Sequence, residues 1–589
     1  MNLYAGKVLM IDLSSGKISV EPLRTEWVRE YWGCWGLGLR YYCDMVQPDI
    51  EPLAPENPIV FMTGPFCGTM VPLTSRFSMI SKSPYTGTIY EANTGGAFGP
   101  ELKFAGYDGF IVKGKADRPV FLKIEDDRVS LESAEAVSGR GIFATEEFLK
   151  EAVGSPEAKT LAIGPAGENC IGYSCIGSEA YRQFGRAGAG ALLGSKNLKG
   201  VVCRGTGGVR VADVTTFLEK VRQYEEENIY TDDNLWANTD GTPVLVDLTN
   251  DLGIHPTRNY RFGVNEHKDA LNSDAIKKAK VSARACTSCP LACGKFTHIN
   301  GAEVEGPEYE TLCLSGSNCG MNDLEQVIRF NRLCDDLGLD TMTGGSVIAL
   351  AMDLTESGRH DFNLKFGESG EYLKVVEEIA MLSTERGREL AMGSKKLAEK
   401  YHAEDMAAEV KGLEVPAYEP RGNYGMGIAY ATSERGACHL RAFPVDSPDR
   451  FDIEIMAKEV ADSQNFNAIK WSMCICDFWG SVSHEIMADL LSVGLGEPVT
   501  AEELTVAGER IWNITRLFNL GAGFTAADDI LPKKMMEQPL GNGPAEGRVF
   551  LKDDFDRALK IYYSARGWDE QGVPKAEKLV ELGLDQIRI

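Results

Sequence analysis

Up to about residue 208 the chain alternates short apolar runs with glycine-rich turns; beyond it the apolar positions recur every three to four residues. The first pattern predicts strands at residues 7–13, 17–20, 59–62, 110–113 and 200–203, each bounded by turn-forming residues. After Gly207-Gly208 the helical spacing predicts helices over 214–224, 273–279, 323–337, 371–385 and 394–399. A proline-marked stretch, Val415-Pro-Ala-Tyr-Glu-Pro-Arg-Gly-Asn-Tyr424, sets off a third, helix-rich region. The expected fold class is therefore α+β. A β-rich domain over 1–208 is followed by one mostly helical domain over 209–416 and another over 417–589. No internal repeat is visible.

Two helices carry readable ends. Asn322 with Glu325 fits a capping box, Leu324, Val327, Ile328, Leu333 and Leu337 form an apolar stripe, and Gly338 is a natural stop. Thr500 with Glu503 opens another helix, which ends near Gly521. The first of these places Asp335 and Asp336 in its last turn, where the helix dipole is negative and each carboxylate costs about 0.3–1 kcal/mol. Some other partner must hold them. In Asp335-Asp-Leu-Gly-Leu-Asp340 carboxylates flank a glycine turn, able to accept N–H bonds from a polar heterocycle or to hold a cation. The plain alternative is a solvated helix end followed by an acidic turn.

The sharpest chemical signal is Cys286, Cys289 and Cys293 in a CxxCxxxC spacing, which suits three corners of one iron–sulfur cube. Zinc needs two further ligands at knuckle spacing, and none lies nearby. The CxxxCxxC order of radical enzymes that cleave S-adenosylmethionine is absent too. Three thiols merely filling a core remain the bland alternative. The close cysteine pair far downstream is Cys474 and Cys476, either of which could supply the fourth thiolate.

Composition narrows the setting. With 589 residues, 43% of them hydrophobic, the chain has material for about three domains, and no run of about 20 residues is continuously apolar, so no membrane span is expected. The amino terminus leads straight into a strand without a signal-like segment, which points to a cytoplasmic protein. There, the 15 cysteines are expected to stay reduced. A net charge of −25 disfavours nucleic acid and anionic membranes as partners.

Two glycine-rich segments, one through Asn93, Gly95 and Gly96 and one from Gly185 to Lys199, would let backbone amides approach a phosphate, with Arg186 and Lys196 adding charge. Neither is a Walker loop or a GxGxxG fingerprint, and tight turns explain them as well. Glu310 and His439 are the candidates for acid–base work, although a lone histidine is ordinarily a surface or satisfied core residue.

Taken together the chain resembles the tungsten-dependent aldehyde:ferredoxin oxidoreductase family over nearly its whole length. The likeness runs through Gly64-Pro-Phe-Cys-Gly-Thr69, Ser75-Arg76, Ser83-Pro-Tyr-Thr-Gly87, Asn93-Thr-Gly-Gly96, Ala105-Gly-Tyr-Asp108 and Gly194-Ser-Lys-Asn-Leu-Lys199. It continues through the cysteine motif, the 335–340 run and Arg516-Leu-Phe-Asn519. The resemblance implies a β domain that forms the base for a tungsten bis-pyranopterin beside one 4Fe–4S cluster held by Cys286, Cys289, Cys293 and Cys476. It places Arg76 between pterin and cluster, and Asn93 at a Mg2+ that bridges the pterin phosphates. Gly95, Gly96, Arg182 and Arg186 would complete the phosphate site, and Asp335, Gly338, Leu339 and Asp340 would hold a pterin. An aldehyde would be oxidised to its acid with Glu310 as base and His439 as hydrogen-bond donor. Electrons would leave for ferredoxin or an iron–sulfur subunit, in an oligomer or hetero-complex.

Departures from the family pattern are equally specific. Its second motif, DxxGLC, reads Trp471-Ser-Met-Cys-Ile-Cys476 here, so Trp471 replaces the aspartate and Cys474 the glycine, and one pterin is expected to be held differently. Gly521 stands where arginine is common. The glutamate and histidine that bridge some family dimers through iron have no clear counterpart. One rival activity is a low-potential tungsten reductase subunit acting on an aromatic acyl-CoA; another is a non-catalytic iron–sulfur electron carrier.

Overall fold

Strand alternation shapes the N-terminal region, which is β-rich, while the remainder is largely helical; the computed structural model describes residues 1–179, 181–299 and 301–587. Six strands, β1 (Lys7–Asp12), β2 (Lys17–Pro22), β3 (Ile59–Met62), β4 (Phe77–Lys82), β5 (Ile89–Thr94) and β6 (Gly109–Lys113), form a mixed sheet in the order β2-β1-β6-β3-β4-β5. Six more follow: β7 (Val120–Glu125), β8 (Arg128–Ser133), β9 (Lys159–Ala162), β10 (Ile176–Ser178), β11 (Arg182–Phe184) and β12 (Leu198–Arg204). Their order is β8-β7-β12-β9-β10-β11, the first order shifted by six. The pairing sense agrees as well, since β1–β6 and β7–β12 are parallel and the other pairs antiparallel.

The helices repeat along with the strands. Cys34–Met45 and Ile142–Val153 lead into β3 and β9, and Phe98–Phe104 and Ala189–Ser195 lead into β6 and β12. The N-terminal region is thus duplicated, contrary to the sequence reading, because what repeats is backbone pairing rather than a shared set of side chains. Both glycine-rich segments then fall at equivalent places, each joining the fifth strand of its sheet to the helix before the sixth. The two sheets share an apolar core in which the rings of Phe61, Phe77, Phe98, Phe110 and Phe184 pack on one another. Burying each ring contributes about 1.5–3 kcal/mol to the stability of the platform.

In the helical part the Thr500–Glu503 capping box forms, and its helix runs Ala501–Gly521. The cap of Leu324–Leu337 is a correction. Asp323, not Asn322, accepts from the amides of Glu325 and Gln326, while Asn322 is taken up by Asn265. The 371–385 expectation also divides into Tyr372–Met381 and Glu385–Leu390, because Leu382 turns left-handed and Thr384 caps the second piece. Inside the region read as helical lies a small antiparallel sheet of β13 (Lys280–Arg284), β14 (Gly294–Ile299) and β15 (Ala302–Glu305), whose first connection carries the three cysteines. Its strands are short, and the two outer ones, β13 and β15, are largely exposed, so they leave little apolar alternation. No described helix is long and apolar enough to cross a membrane.

Candidate cofactor and active site

Two helix ends from the helical part dock on the duplicated platform, one on each half. After Leu324–Leu337 the chain turns at Gly338 (φ 78°), and the Asp340 amide donates to the Tyr173 carbonyl at 3.0 Å, just before β10. After Ile453–Ser472 it turns at Cys474 (φ 71°), and the Cys476 amide donates to the Leu73 carbonyl at 2.8 Å, just before β4. Each end also caps a platform helix. Asp336 accepts from the Phe143 amide at 3.2 Å, and Ser472 accepts from the Gly36 amide at 3.0 Å. The misplaced carboxylate of Asp336 is thereby explained: it serves the positive end of a neighbouring helix.

Cys476 emerges from the second turn toward the β13–β14 loop. Its Sγ lies 3.4 Å from Arg76 Nη2, while Cys293 Sγ lies 3.7 Å from Arg182 Nη2. The Thr287 amide donates to the Gly96 carbonyl at 3.1 Å, and a side chain at Gly95 would come within 2.8 Å of Cys286 Sγ. Burial opposes ionisation of all three loop thiols. At Cys286 the Arg182 guanidinium, a hydrogen bond from the Gly96 backbone and the Arg76 guanidinium together outweigh it and hold the thiol below its ordinary range, whereas Cys293 is pushed up to about 12. Cys289 is raised as well, by burial and then by Cys476 and Cys286. Among the described residues no three His, Cys, Asp or Glu side chains close on a single-ion site. The four thiols lie near enough to act on one another electrostatically, with Arg76 beside Cys476 and Arg182 beside Cys293, and four thiols are a donor set that suits a polynuclear iron–sulfur cluster. Cys474 faces elsewhere. It is buried against Cys34 and Cys67, with its Sγ 3.0 Å from that of Cys34.

Around the first helix end, Asp335 accepts from Gln183 Nε2 at 2.6 Å and from Asn331 Nδ2 at 3.0 Å, and burial pushes its carboxyl up to about 7. Asp340 caps Thr341–Glu356 by accepting from the Met342 and Thr343 amides, and sits 3.6 Å from Arg186 Nε. Arg186 also donates to the carbonyls of Ala437 and Glu414, and Leu339 bridges to Ser174. Asn93 Oδ1 accepts from Arg76 Nη1. Gly96 has a φ of 95°, and the next amide, at Ala97, donates to Glu179 at 2.8 Å. Arg182 is not turned toward Arg186. It pairs with Glu305 and Glu308 beside the thiols.

Glu310 and His439, 129 positions apart in the numbering, come together. Glu310 follows β15 in the short turn Tyr309–Thr311, which runs into a wide π-helical turn, Leu312–Gly316. Its Oε2 accepts from the Ala417 amide, and its Oε1 lies 3.3 Å from His439 Nδ1. Both facing atoms are buried and lack a hydrogen-bond partner among the described residues. Burial pushes the Glu310 carboxyl up to about 8 and pulls the His439 imidazole down to about 3. An aromatic wall flanks them. Tyr418 lies 5.5 Å from His439, centroid to centroid, and 5.0 Å from Phe443, which is 42% exposed.

Sequence reasoning missed Asp477, Gln183, Tyr418 and Phe443. Only Asp477 carried a signal, its place beside Cys476.

Known proteins frame this geometry. Residues 8–205 match the family model "Aldehyde ferredoxin oxidoreductase, N-terminal domain", and residues 218–584 match "Aldehyde ferredoxin oxidoreductase, domains 2 & 3". The tungsten-containing aldehyde ferredoxin oxidoreductase of Pyrococcus furiosus is 37% identical over 98% of both chains. That of Pyrococcus horikoshii is 38% identical over 99% of both. Among solved structures, the active-site complex BamBC of benzoyl coenzyme A reductase shares the fold at a TM-score of 0.86. That alignment is 24% identical and covers 100% of this chain and 98% of that one.

Proposed function

Since the chain belongs to the aldehyde ferredoxin oxidoreductase family, we propose that it oxidises aldehydes to carboxylic acids at a tungsten bis-pyranopterin centre, with electrons leaving through a 4Fe–4S cluster. The observation that carries the acid–base part of this reading is the Glu310–His439 pair, buried, unpartnered and facing at 3.3 Å. Tungstopterin, when bound, would supply the two-electron acceptor for the oxidation. Cys286, Cys289, Cys293 and Cys476 would hold the cluster. Gly95, Gly96, Asn93 and Arg186 would take the phosphates and their Mg2+, while Asp335 and Asp340, with the Gly338-Leu339 backbone between them, would take pterin nitrogens.

Glu310, when ionised, removes a proton from the water that adds to the carbonyl carbon. His439, neutral at working pH, donates an N–H to the carbonyl oxygen as negative charge develops there. The Tyr418 and Phe443 rings favour aldehydes with an apolar tail, which enter past the exposed Phe443 edge. The electron acceptor is a ferredoxin or an iron–sulfur partner subunit, and the site of action is the cytoplasm, where the fifteen free cysteines stay reduced.

Glu310→Gln tests the reading. Turnover of any aldehyde is lost while tungsten and iron stay at the unaltered level; activity retained in that variant removes Glu310 from the mechanism. The pH profile is a second check. A base pushed up to about 8 is protonated and idle below that value, so kcat/KM rises about tenfold per pH unit up to about 8 and then levels off.

A further inference from the structure

The second helix end carries a polar chain that the cofactor assignments leave unexplained. Trp471 is 1% exposed, and its ring is boxed in by Trp35 at 5.7 Å and by the Arg441 guanidinium at 4.8 Å. Arg441 is itself fixed by Glu91 and Glu434. An indole so confined has one direction for its N–H, and Nε1 donates to Asp477 Oδ1 at 2.8 Å. The other oxygen, Asp477 Oδ2, lies 3.7 Å from Arg76 Nη2, the same nitrogen that approaches Cys476 Sγ at 3.4 Å. Nη1 of Arg76 is taken by Asn93, and Lys470 Nζ donates to the Asp477 carbonyl at 3.3 Å. Arg76 is thus shared between a carboxylate and a thiol. At the equivalent place on the first helix end, Asp335 accepts from the neutral amide of Gln183, whose oxygen accepts from the Cys175 thiol, and Cys175 is not one of the four proposed cluster ligands.

We infer that Trp471 is a positioning residue for electron transfer: acting through Asp477, it keeps Arg76 donating to the Cys476 sulfur and so sets the reduction potential of the cluster that this cysteine holds. The inference rests on the cluster assignment proposed above. A carboxylate that already accepts from an indole competes less strongly for the guanidinium. Without that donor, Asp477 draws Arg76 toward itself and off the sulfur. Hydrogen bonds to ligand sulfurs stabilise the reduced, more negative cluster, so their loss lowers the potential.

The experiment is a redox titration of the anaerobically isolated enzyme, followed by electron paramagnetic resonance of the reduced cluster. Trp471→Phe shifts the midpoint downward. Asp477→Asn shifts it upward, because a negative charge leaves and Arg76 is released to the sulfur. In the double variant the Trp471→Phe shift disappears, since its route runs through Asp477. Trp471→His, which keeps an N–H donor, returns the midpoint part of the way. A midpoint unmoved by Trp471→Phe overturns the inference, as does a shift of equal size with and without Asp477. So does loss of iron or thermal stability with the midpoint of the remaining cluster unchanged, which is what a packing role alone produces. Absence of any cluster signal in the unaltered enzyme, seen before a variant is made, removes the functional reading itself.

Discussion

The helix ending at Leu337 and the helix ending at Ser472 reach the two halves of the platform through the same backbone contacts and then diverge in every side chain. Gly338 and Cys474 turn at φ 78° and 71°, and the amides of Asp340 and Cys476 bond the chain just ahead of β10 and β4. Beyond that, one end presents carboxylates and the other an indole, a thiol pair and a single aspartate. Backbone hydrogen bonds fix where each end sits, because an unpaired buried N–H is costly wherever it occurs. The side chains are then free to specialise, the first end for polar acceptors and the second, on the function proposed above, for a cluster ligand.

The largest expected effect breaks the second end alone. Cys476→Ser removes the proposed fourth ligand of the cluster, and iron and sulfide in the isolated protein are expected to fall to background. Cys474→Ser, two residues away, leaves both unchanged, because that side chain points into the thiol cluster with Cys34 and Cys67. Iron loss on Cys474→Ser with retention on Cys476→Ser would reverse the assignment.

Much of this was legible in the residues. Glycine-punctuated apolar runs gave the strands, since each element's periodicity is imposed by the core it faces. The CxxCxxxC spacing singled out the β13–β14 loop for the same local reason. The duplication was not legible, because strand order leaves no trace in side-chain identity. Nor was the role of Asp336: read along its own helix it is misplaced, and only the tertiary packing brings the Ile142–Val153 terminus to it. Arg182 illustrates the opposite error. The family resemblance implied one phosphate site around both arginines, yet Arg182 at the start of β11 reaches Cys293, while Arg186, beyond the end of that strand, turns to Asp340 and the Glu414 carbonyl.

The turn residues sharpen the comparison at a smaller scale. Gly338→Ala puts a Cβ on a left-handed backbone and within 3.0 Å of the Gly164 amide, which destabilises by about 1–2 kcal/mol or more. Cys474→Gly relieves about 1 kcal/mol of the same left-handed strain but forfeits the packed thiol, a loss of similar size, so stability changes by less than about 1 kcal/mol. Denaturant titration of the two variants side by side reads the difference. Equal destabilisation would mean that Cys474 is held by its side chain and carries no backbone strain.

The smallest effect tests the borrowed caps. Gly141 precedes Ile142–Val153 with no side chain of its own, and the Asp336 carboxylate fills the place one would occupy. Asp336→Ala should therefore cost about 1 kcal/mol, seen as roughly fivefold faster hydrogen exchange at the Phe143 amide. Ser472→Ala should cost less at Gly36, because a neutral hydroxyl gains little from the helix dipole. Gly141→Ser supplies the decisive contrast. In the unaltered chain the new side chain collides with Asp336 and destabilises, whereas in the Asp336→Ala background it restores the missing cap and slows exchange again. Exchange at Phe143 that ignores Asp336 in both backgrounds would mean that the first helix end is held by its backbone contacts alone.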